Sequence, residues 1–145
     1  MRYVLTLLAF VTLPACSDFD LGGGVSGSIL GSDFSSVAGS AESSGFGYTI
    51  TLSDTGAFEC SSFESLPDFY LTVVLDDVRE PMSIPAAGRV TFNSFEDDVI
   101  TSESADSGQI VIESVDPELG TISGSIDATG ATSSVAGSFT VDICR

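Results

Sequence analysis

The sequence predicts an all-β fold, an antiparallel β-sandwich of about eight to ten short strands, with a barrel as the alternative. Three observations predict this class. Apolar and polar residues alternate over short runs, which is the period of a half-buried strand. Helical periodicity is nearly absent from the chain. Glycine, proline and acidic residues separate the runs, as they do at turns.

The first half of the folded region contains two strand signals and one interruption. Residues 46–52 alternate apolar with small or polar residues, so one apolar face would point to the core. Residues 69–75 are apolar almost throughout and predict a central strand that is covered on both faces. Pro81 and Pro85 make residues 79–88 a loop or a sheet edge, because proline cannot donate a ladder hydrogen bond.

The second half gives the clearest series of strands. Residues 90–95 and 99–101 are predicted strands on either side of an acidic turn, Glu96-Asp97-Asp98. In the turn at residues 116–120, proline fixes φ and glycine supplies a left-handed conformation. Three consecutive antiparallel strands fit the spacing around this turn and the next, and they are predicted over residues 109–115, 121–128 and 135–144.

A short pattern of one aliphatic and three small residues recurs along the chain. In its last two copies the glycines, Gly124 and Gly137, fall on the predicted core face. An inward glycine weakens a strand, so it indicates either room for a large aromatic side chain from the facing sheet or a bend. The copies are Val25-Ser-Gly-Ser28, Val37-Ala-Gly-Ser40, Ile122-Ser-Gly-Ser125 and Val135-Ala-Gly-Ser138.

Length and charge limit the classes of partner. A chain of 145 residues with 43% apolar residues is long enough for one domain with its own core. The net charge of −17 repels nucleic-acid backbones and anionic lipid surfaces, which attract clustered lysine and arginine. We therefore expect no nucleic-acid partner. The acidity indicates solubility in a salty exterior, with a cation-binding surface as the alternative.

The N-terminus has the proportions of an export signal. An arginine at position 2 precedes a nine-residue apolar stretch, residues 4–12, which is too short for a membrane span. The following Leu13-Pro14-Ala15-Cys16 resembles the lipobox of bacterial lipoproteins. The resemblance implies cleavage before Cys16 and lipidation of its thiol, and two or three acyl chains anchor a protein firmly. A buried N-terminal strand and an ordinary cleaved signal are the alternatives.

This resemblance implies an organisation in three parts. Residues 1–15 would be the cleaved signal peptide, residues 16–24 the lipidated cysteine and a glycine-rich tether, and residues 25–145 a single β-sandwich domain. Ser17, where lipoproteins retained at the inner membrane commonly carry aspartate, implies a location at the outer membrane of a bacterial envelope. The region after Cys16 resembles small β-rich lipoproteins of unassigned role.

The two remaining cysteines, Cys60 and Cys144, are predicted to form a disulfide in this oxidising compartment. The bond would close a long loop and hold the last strand, which ends beside the C-terminus. A pair of free thiols for metal or redox chemistry is the alternative. The absence of histidine and of a Cys-x-x-Cys motif disfavours it.

Catalytic and cofactor motifs are missing from the sequence. Without histidine or lysine there is no Ser-His-Asp triad, no His-ligated metal and no Schiff-base chemistry, and no phosphate-binding glycine motif is present. Paired carboxylates are the remaining catalytic possibility. We predict no cofactor, although the oxygen ligands of Glu96, Asp97 and Asp98 are weak candidates for calcium.

These observations predict a lipid-anchored envelope protein that is not an enzyme and acts as an interaction or structural module. The membrane, through the N-terminal lipid, and an unidentified protein or glycan are the expected partners. A calcium- or carbohydrate-binding adhesion module is the alternative function. A small hydrolase that uses paired carboxylates is a remote second alternative.

Overall fold

Eleven β-strands and no helix make up the computed structural model over the residues that it describes, which are 24–45, 47–56, 60, 66–78 and 80–144. The all-β prediction is therefore confirmed. These ranges include no helix long and apolar enough to cross a membrane. Cys16 and the rest of the lipobox lie outside the described residues. The strands are β1 (Ser26–Ile29), β2 (Ser32–Ser35), β3 (Ala38–Ser44), β4 (Gly47–Ser53), β5 (Phe69–Asp76), β6 (Met82–Pro85), β7 (Val90–Glu96), β8 (Val99–Ser104), β9 (Ser107–Asp116), β10 (Thr121–Thr129) and β11 (Ser134–Cys144).

Nine of the strands form one curled sheet in the hydrogen-bonded order β6-β9-β10-β11-β3-β4-β5-β7-β8. The hairpin of β1 and β2 lies off this order, with β1 paired to the first residues of β11. The three C-terminal strands are consecutive and antiparallel, as predicted. The pair β11–β3 is parallel, from Asp142 opposite Ser40 to Cys144 opposite Glu42, and so departs from the predicted antiparallel sheet. Alternation along a strand specifies its faces but not its neighbour.

Two short connections join opposite ends of the sheet. Strands β6 and β7 are linked by residues 86–89, and β8 and β9 by residues 105–106. The N–H of Ala86 donates to Gly108 O at 3.1 Å, and the N–H of Ala105 donates to Val90 O at 2.9 Å. Hydrogen bonds thus continue through the connections, so β6–β7 and β8–β9 form one long hairpin that bends at the buried Ala86 and Ala105. We call this hairpin the bent ribbon.

The core lies on one face of the curled sheet. Leu71, Val73 and Leu75 of β5 are buried, whereas Val74 between them is 43% exposed. The prediction that β5 is covered on both faces is therefore wrong, because this largely antiparallel sheet leaves its other face to solvent. Buried side chains from both ends of the sheet meet in one cluster, and its largest members include Phe92, Ile29, Ile50, Leu71, Leu75, Ile110, Ile112 and Ile122.

Gly124 shows why a glycine occupies the core face of β10. The register between β9 and β10 shifts between Ser123 and Gly124, where Glu113 of β9 has no partner on β10, so the strand irregularity lies beside this glycine, with the extra residue on β9. A Cβ atom here would lie 2.2 Å from the backbone oxygen of Val111 and 3.1 Å from the ring of Phe139. Phe139 is opposite Gly124 on the neighbouring strand β11, so the aromatic ring comes from within the sheet and not from a facing one.

Candidate functional site

The predicted disulfide between Cys60 and Cys144 is present, with 5.0 Å between the two Cα atoms. Cys144 is the last residue of β11, and Cys60 belongs to the long connection between β4 and β5. The end of β11 pairs with β3 through three residues only. On its other side the end of β11 pairs with β10 up to Asp142 and Thr121, and the Ile143 N–H donates to Gly120 O at 2.6 Å, so the covalent bond secures the last residue beyond these contacts.

The predicted acidic turn is the tip of the bent ribbon. Strand β7 ends at Glu96 and β8 begins at Val99, so the loop consists of Asp97 and Asp98 alone. Their φ angles are 52° and 62°. A two-residue hairpin loop with positive φ at both positions is a type I′ turn. The backbone twist of this turn matches the twist of the two strands that it joins. Aspartate adopts this left-handed region more readily than most residues, so the turn itself explains both acids.

A cleft of about 650 Å³ opens between this tip and the turn that joins β1 to β2. Strand β7 and the segment that leads into β5 form its other walls. Ser32 and Ser94 contribute hydroxyl groups, and the described lining residues include no arginine. Its carboxylates are Asp68, Glu96, Asp97 and Asp98. Its apolar residues are Leu30, Leu66, Phe69 and Phe95.

The cleft can bind a cationic, partly apolar ligand by charge and contact. All four carboxylates are exposed, so they remain hydrated and can still attract a cation at the rim. The weak calcium candidates Glu96, Asp97 and Asp98 thus lie together on one wall. Across the described parts of the chain, no group of three or more His, Cys, Asp or Glu side chains is arranged to hold a metal ion.

Asp54 lies close enough to Asp68 for the two charges to interact. Its Oδ1 atom is buried and has no hydrogen-bond partner. Burial raises the pKa of the Asp54 carboxyl, and the negative charge of Asp68 adds to this effect. Sequence analysis singled out neither residue, because nothing in their spacing distinguishes them from the other acids in the chain.

A hydrogen-bond network centred on Glu103 connects three parts of the chain near the cleft. The hydroxyl of Ser133 donates to the Glu103 carboxylate, and the N–H and hydroxyl of Thr132 donate to it at 2.8 and 3.0 Å. The N–H of Leu30 donates to Ser133 Oγ at 2.9 Å. Strand β8, the β10–β11 loop and the β1–β2 turn are thereby joined. Donation by Ser133 is the main cause that lowers the pKa of Glu103, with the bonds from Thr132 adding to it.

Glu103→Gln is expected to lower the free energy of unfolding at neutral pH. The free energy of unfolding of this variant should also decrease less in acid than that of the wild-type protein. The pKa of Glu103 in the folded chain lies below its ordinary value of 4.5. Its stabilising effect is therefore present above that value and is lost as the pH falls through the folded pKa. Urea denaturation of both proteins from pH 7 to about pH 3 measures the difference, which should shrink as Glu103 becomes protonated. A constant difference across this range would contradict the assignment.

The cleft and the Glu103 network meet at Leu30. Leu30 lines the cleft, and its N–H belongs to the network. The position of the β1–β2 turn, and hence the width of the cleft, therefore depends on Ser133 and Glu103. No protein-family model, curated protein or solved structure matches this chain.

Proposed function

We propose that the chain is a lipid-anchored, non-enzymatic interaction module of a bacterial cell envelope, held at the outer membrane. The observation that carries the proposal is the disulfide between Cys60 and Cys144. Disulfides of this structural kind persist in exported proteins and are rare in the bacterial cytosol. The disulfide and the lipobox-like Leu13-Pro14-Ala15-Cys16 thus indicate the same compartment from independent parts of the chain.

The anchor we propose is the acylated thiol of Cys16. The described chain begins at Gly24, and its first strand, β1, pairs with β11. A tether of residues 16–24 would therefore enter the fold beside the strand that the disulfide secures. A force on the anchor would therefore act on the paired strands β1 and β11 and on the core, and not on an unpaired chain end.

Interaction, and not catalysis, is the role that the cleft supports. Its carboxylates are exposed and two of them are neighbours in one turn, whereas carboxylate catalysis relies on two acids placed across a substrate in a shielded site. Apolar walls with a charged rim are suited to a ligand that brings both contact area and positive charge. The proposed module therefore presents the cleft to partners outside the membrane.

For the architecture we favour a sandwich over a closed barrel. The end strands of the sheet order, β6 and β8, each have a single neighbour in it. The bent ribbon contributes β6 and β9 to one end of the order and β7 and β8 to the other, as strands that pass between layers do. Side chains from both halves pack into one core, which two facing layers would produce.

Cys16→Ser is expected to abolish membrane anchoring. The wild-type protein should partition into the detergent phase and the variant into the aqueous phase, because serine cannot be lipidated and the signal would not be cut at this site. Intact mass of the wild-type protein should show an acylated chain that begins at Cys16 and lacks two hydrogens for the disulfide.

Ser17→Ala is the matched control, since it changes the next residue and keeps the thiol. It should remain in the detergent phase. A Cys16→Ser protein that stays in the detergent phase, or a wild-type chain that keeps its first methionine, would contradict the proposal.

A further inference from the structure

One side of the β8 backbone pairs with no other strand among the residues that the structure describes. Strand β8 is the last strand of the sheet order, and its one partner among these strands is β7. Its first four residues are exposed, with Val99 at 61% and Ile100 at 51% of their surface. It has six residues and no proline. In an antiparallel pair the N–H and C=O groups alternate in direction, so about half of those on β8 point away from β7.

The other edges among the described strands are protected. Strand β6, at the opposite end of the order, has four residues, and proline occupies its last position, Pro85, and the position just before the strand, Pro81, so neither of these can donate. Strand β2 also has four residues and is polar, with only Phe34 turned into the core. Natural proteins shield edges with proline or by making them short. The first four residues of β8, Val99-Ile-Thr-Ser102, lack both forms of protection, whereas Glu103 and Ser104 lie beside the β10–β11 loop.

The register places this edge beside the cleft. Val99 is opposite Glu96 and Thr101 is opposite Ser94, and both of these β7 residues line the cleft. Ile100 is opposite Phe95, which also lines the cleft, and its own side chain is exposed on the face of β8 opposite to Val99 and Thr101. A strand added along β8 would therefore direct alternate side chains toward the carboxylates of the cleft rim and toward Ile100.

We propose that β8 is a docking edge for an extended, basic segment of another protein, which adds to the sheet as a further antiparallel or parallel strand. The inference rests on the proposed function, because the edge must be presented outside the membrane to meet a partner. Backbone hydrogen bonds to β8 supply the attachment. Val99 and Ile100 supply apolar contact, and the neighbouring carboxylates select lysine or arginine at alternate positions.

Charge decides between a basic partner and a second copy of this chain. Pairing of two β8 edges would bring together two chains that each carry a net charge of −17. A parallel pairing would also place the two acidic ribbon tips, each with Glu96, Asp97 and Asp98, side by side. Like charges placed in this way oppose association, whereas a basic strand is attracted by the same groups. The acidic tip therefore acts against self-association and for a basic strand.

Hydrogen exchange of the mature, lipidated protein in non-ionic detergent micelles tests this docking edge. The probe is a ten-residue peptide of alternating lysine and threonine. One control peptide has glutamate in place of lysine, and another keeps the lysines but is N-methylated at every second amide, which blocks strand addition. We expect the lysine peptide to slow exchange in fragments that contain Val99–Ser104 by about tenfold or more, and to leave fragments that contain Met82–Pro85 unchanged.

Ile100→Lys is the variant that tests the edge itself. It places a positive charge on the exposed outer face of β8 and should reduce binding of the lysine peptide by about tenfold. Leu119→Lys is the matched control, because Leu119 is 77% exposed, lies in the β9–β10 turn and undergoes the same change of charge. It should bind the peptide like the wild-type protein.

Three other outcomes overturn the docking edge, and a fourth overturns the envelope function. Equal protection by the N-methylated peptide would show attraction by charge without strand addition. Protection of β8 that rises with protein concentration and needs no peptide would identify a second copy as the occupant. Lack of protection in a protein whose mass shows lipid and disulfide would refute the edge and leave the envelope function standing. Protection of β8 by the lysine peptide in a chain that carries no lipid would refute the envelope function and leave the docking edge standing.

Discussion

Replacement of both Cys60 and Cys144 by serine is expected to lower the free energy of unfolding by about 4–5 kcal/mol. The two cysteines are 84 positions apart, and closing so long a loop removes much of the conformational entropy of the unfolded chain. Single domains are stable by only about 5–15 kcal/mol, so the loss would be a large part of the total. Urea denaturation of the wild-type and doubly substituted proteins at neutral pH measures it.

The double substitution is chosen because a single one leaves a free thiol that can form bonds between chains. Reduction of the wild-type protein with a phosphine should lower its stability by the same amount as the serines do. Local fraying should accompany the loss at Cys144, which lies beyond the last β10 pair, Asp142 with Thr121, and is paired on one side with Glu42 of β3. A change below about 1 kcal/mol would mean that the unfolded chain gains little freedom when the bond is absent.

Alternation along the chain predicted the strands that are long enough to show it. The predicted faces of β10 and β11 are confirmed, because Ile122, Ile126, Val135 and Val141 are all buried. Strands β1, β2 and β6 have four residues each, which is too few for a period of two to stand out. For this reason the structure has eleven strands where the sequence predicts about eight to ten.

Relations between distant strands could not be predicted in this way. The parallel pairing of β11 with β3 and the bends at Ala86 and Ala105 depend on which strands become neighbours. The one-sided burial of β5 depends on the same arrangement, since an apolar run such as residues 69–75 does not show which face is left to solvent. Pairing is decided by the packing of the whole core, which no local pattern contains.

The residues of the candidate site also include some that a local sequence pattern predicts and others that it does not. Glu96, Asp97 and Asp98 were recognisable because a run of acids between two apolar stretches predicts a turn. Asp68 and Glu103 were not recognisable, because their importance comes from residues far away in the chain, such as Leu30 and Thr132. The disulfide was predictable because the lipobox-like motif predicts an oxidising compartment and lipid on Cys16, and this prediction leaves one pairing for the other two cysteines.

Phe92→Ala is expected to lower the free energy of unfolding by about 3–5 kcal/mol. Phe92 is completely buried in β7, opposite Leu71 of β5 on one side and Glu103 of β8 on the other. Its loss removes apolar contacts and leaves a cavity under the two strands that carry the cleft and the β8 edge, and close packing lets neighbours fill such a space only in part. Urea denaturation measures the change, and m should stay constant if the variant remains two-state.

Phe95→Ala is the matched control, because it deletes the same group from the same strand on the opposite face. Phe95 is only half-buried and is opposite the exposed Ile100, so its removal should cost clearly less than removal of Phe92. Equal losses would mean that both faces of β7 are packed, and that the face beside Ile100 is covered. That result would also count against an open β8 edge, because the outer face of this edge carries Ile100, which is opposite Phe95.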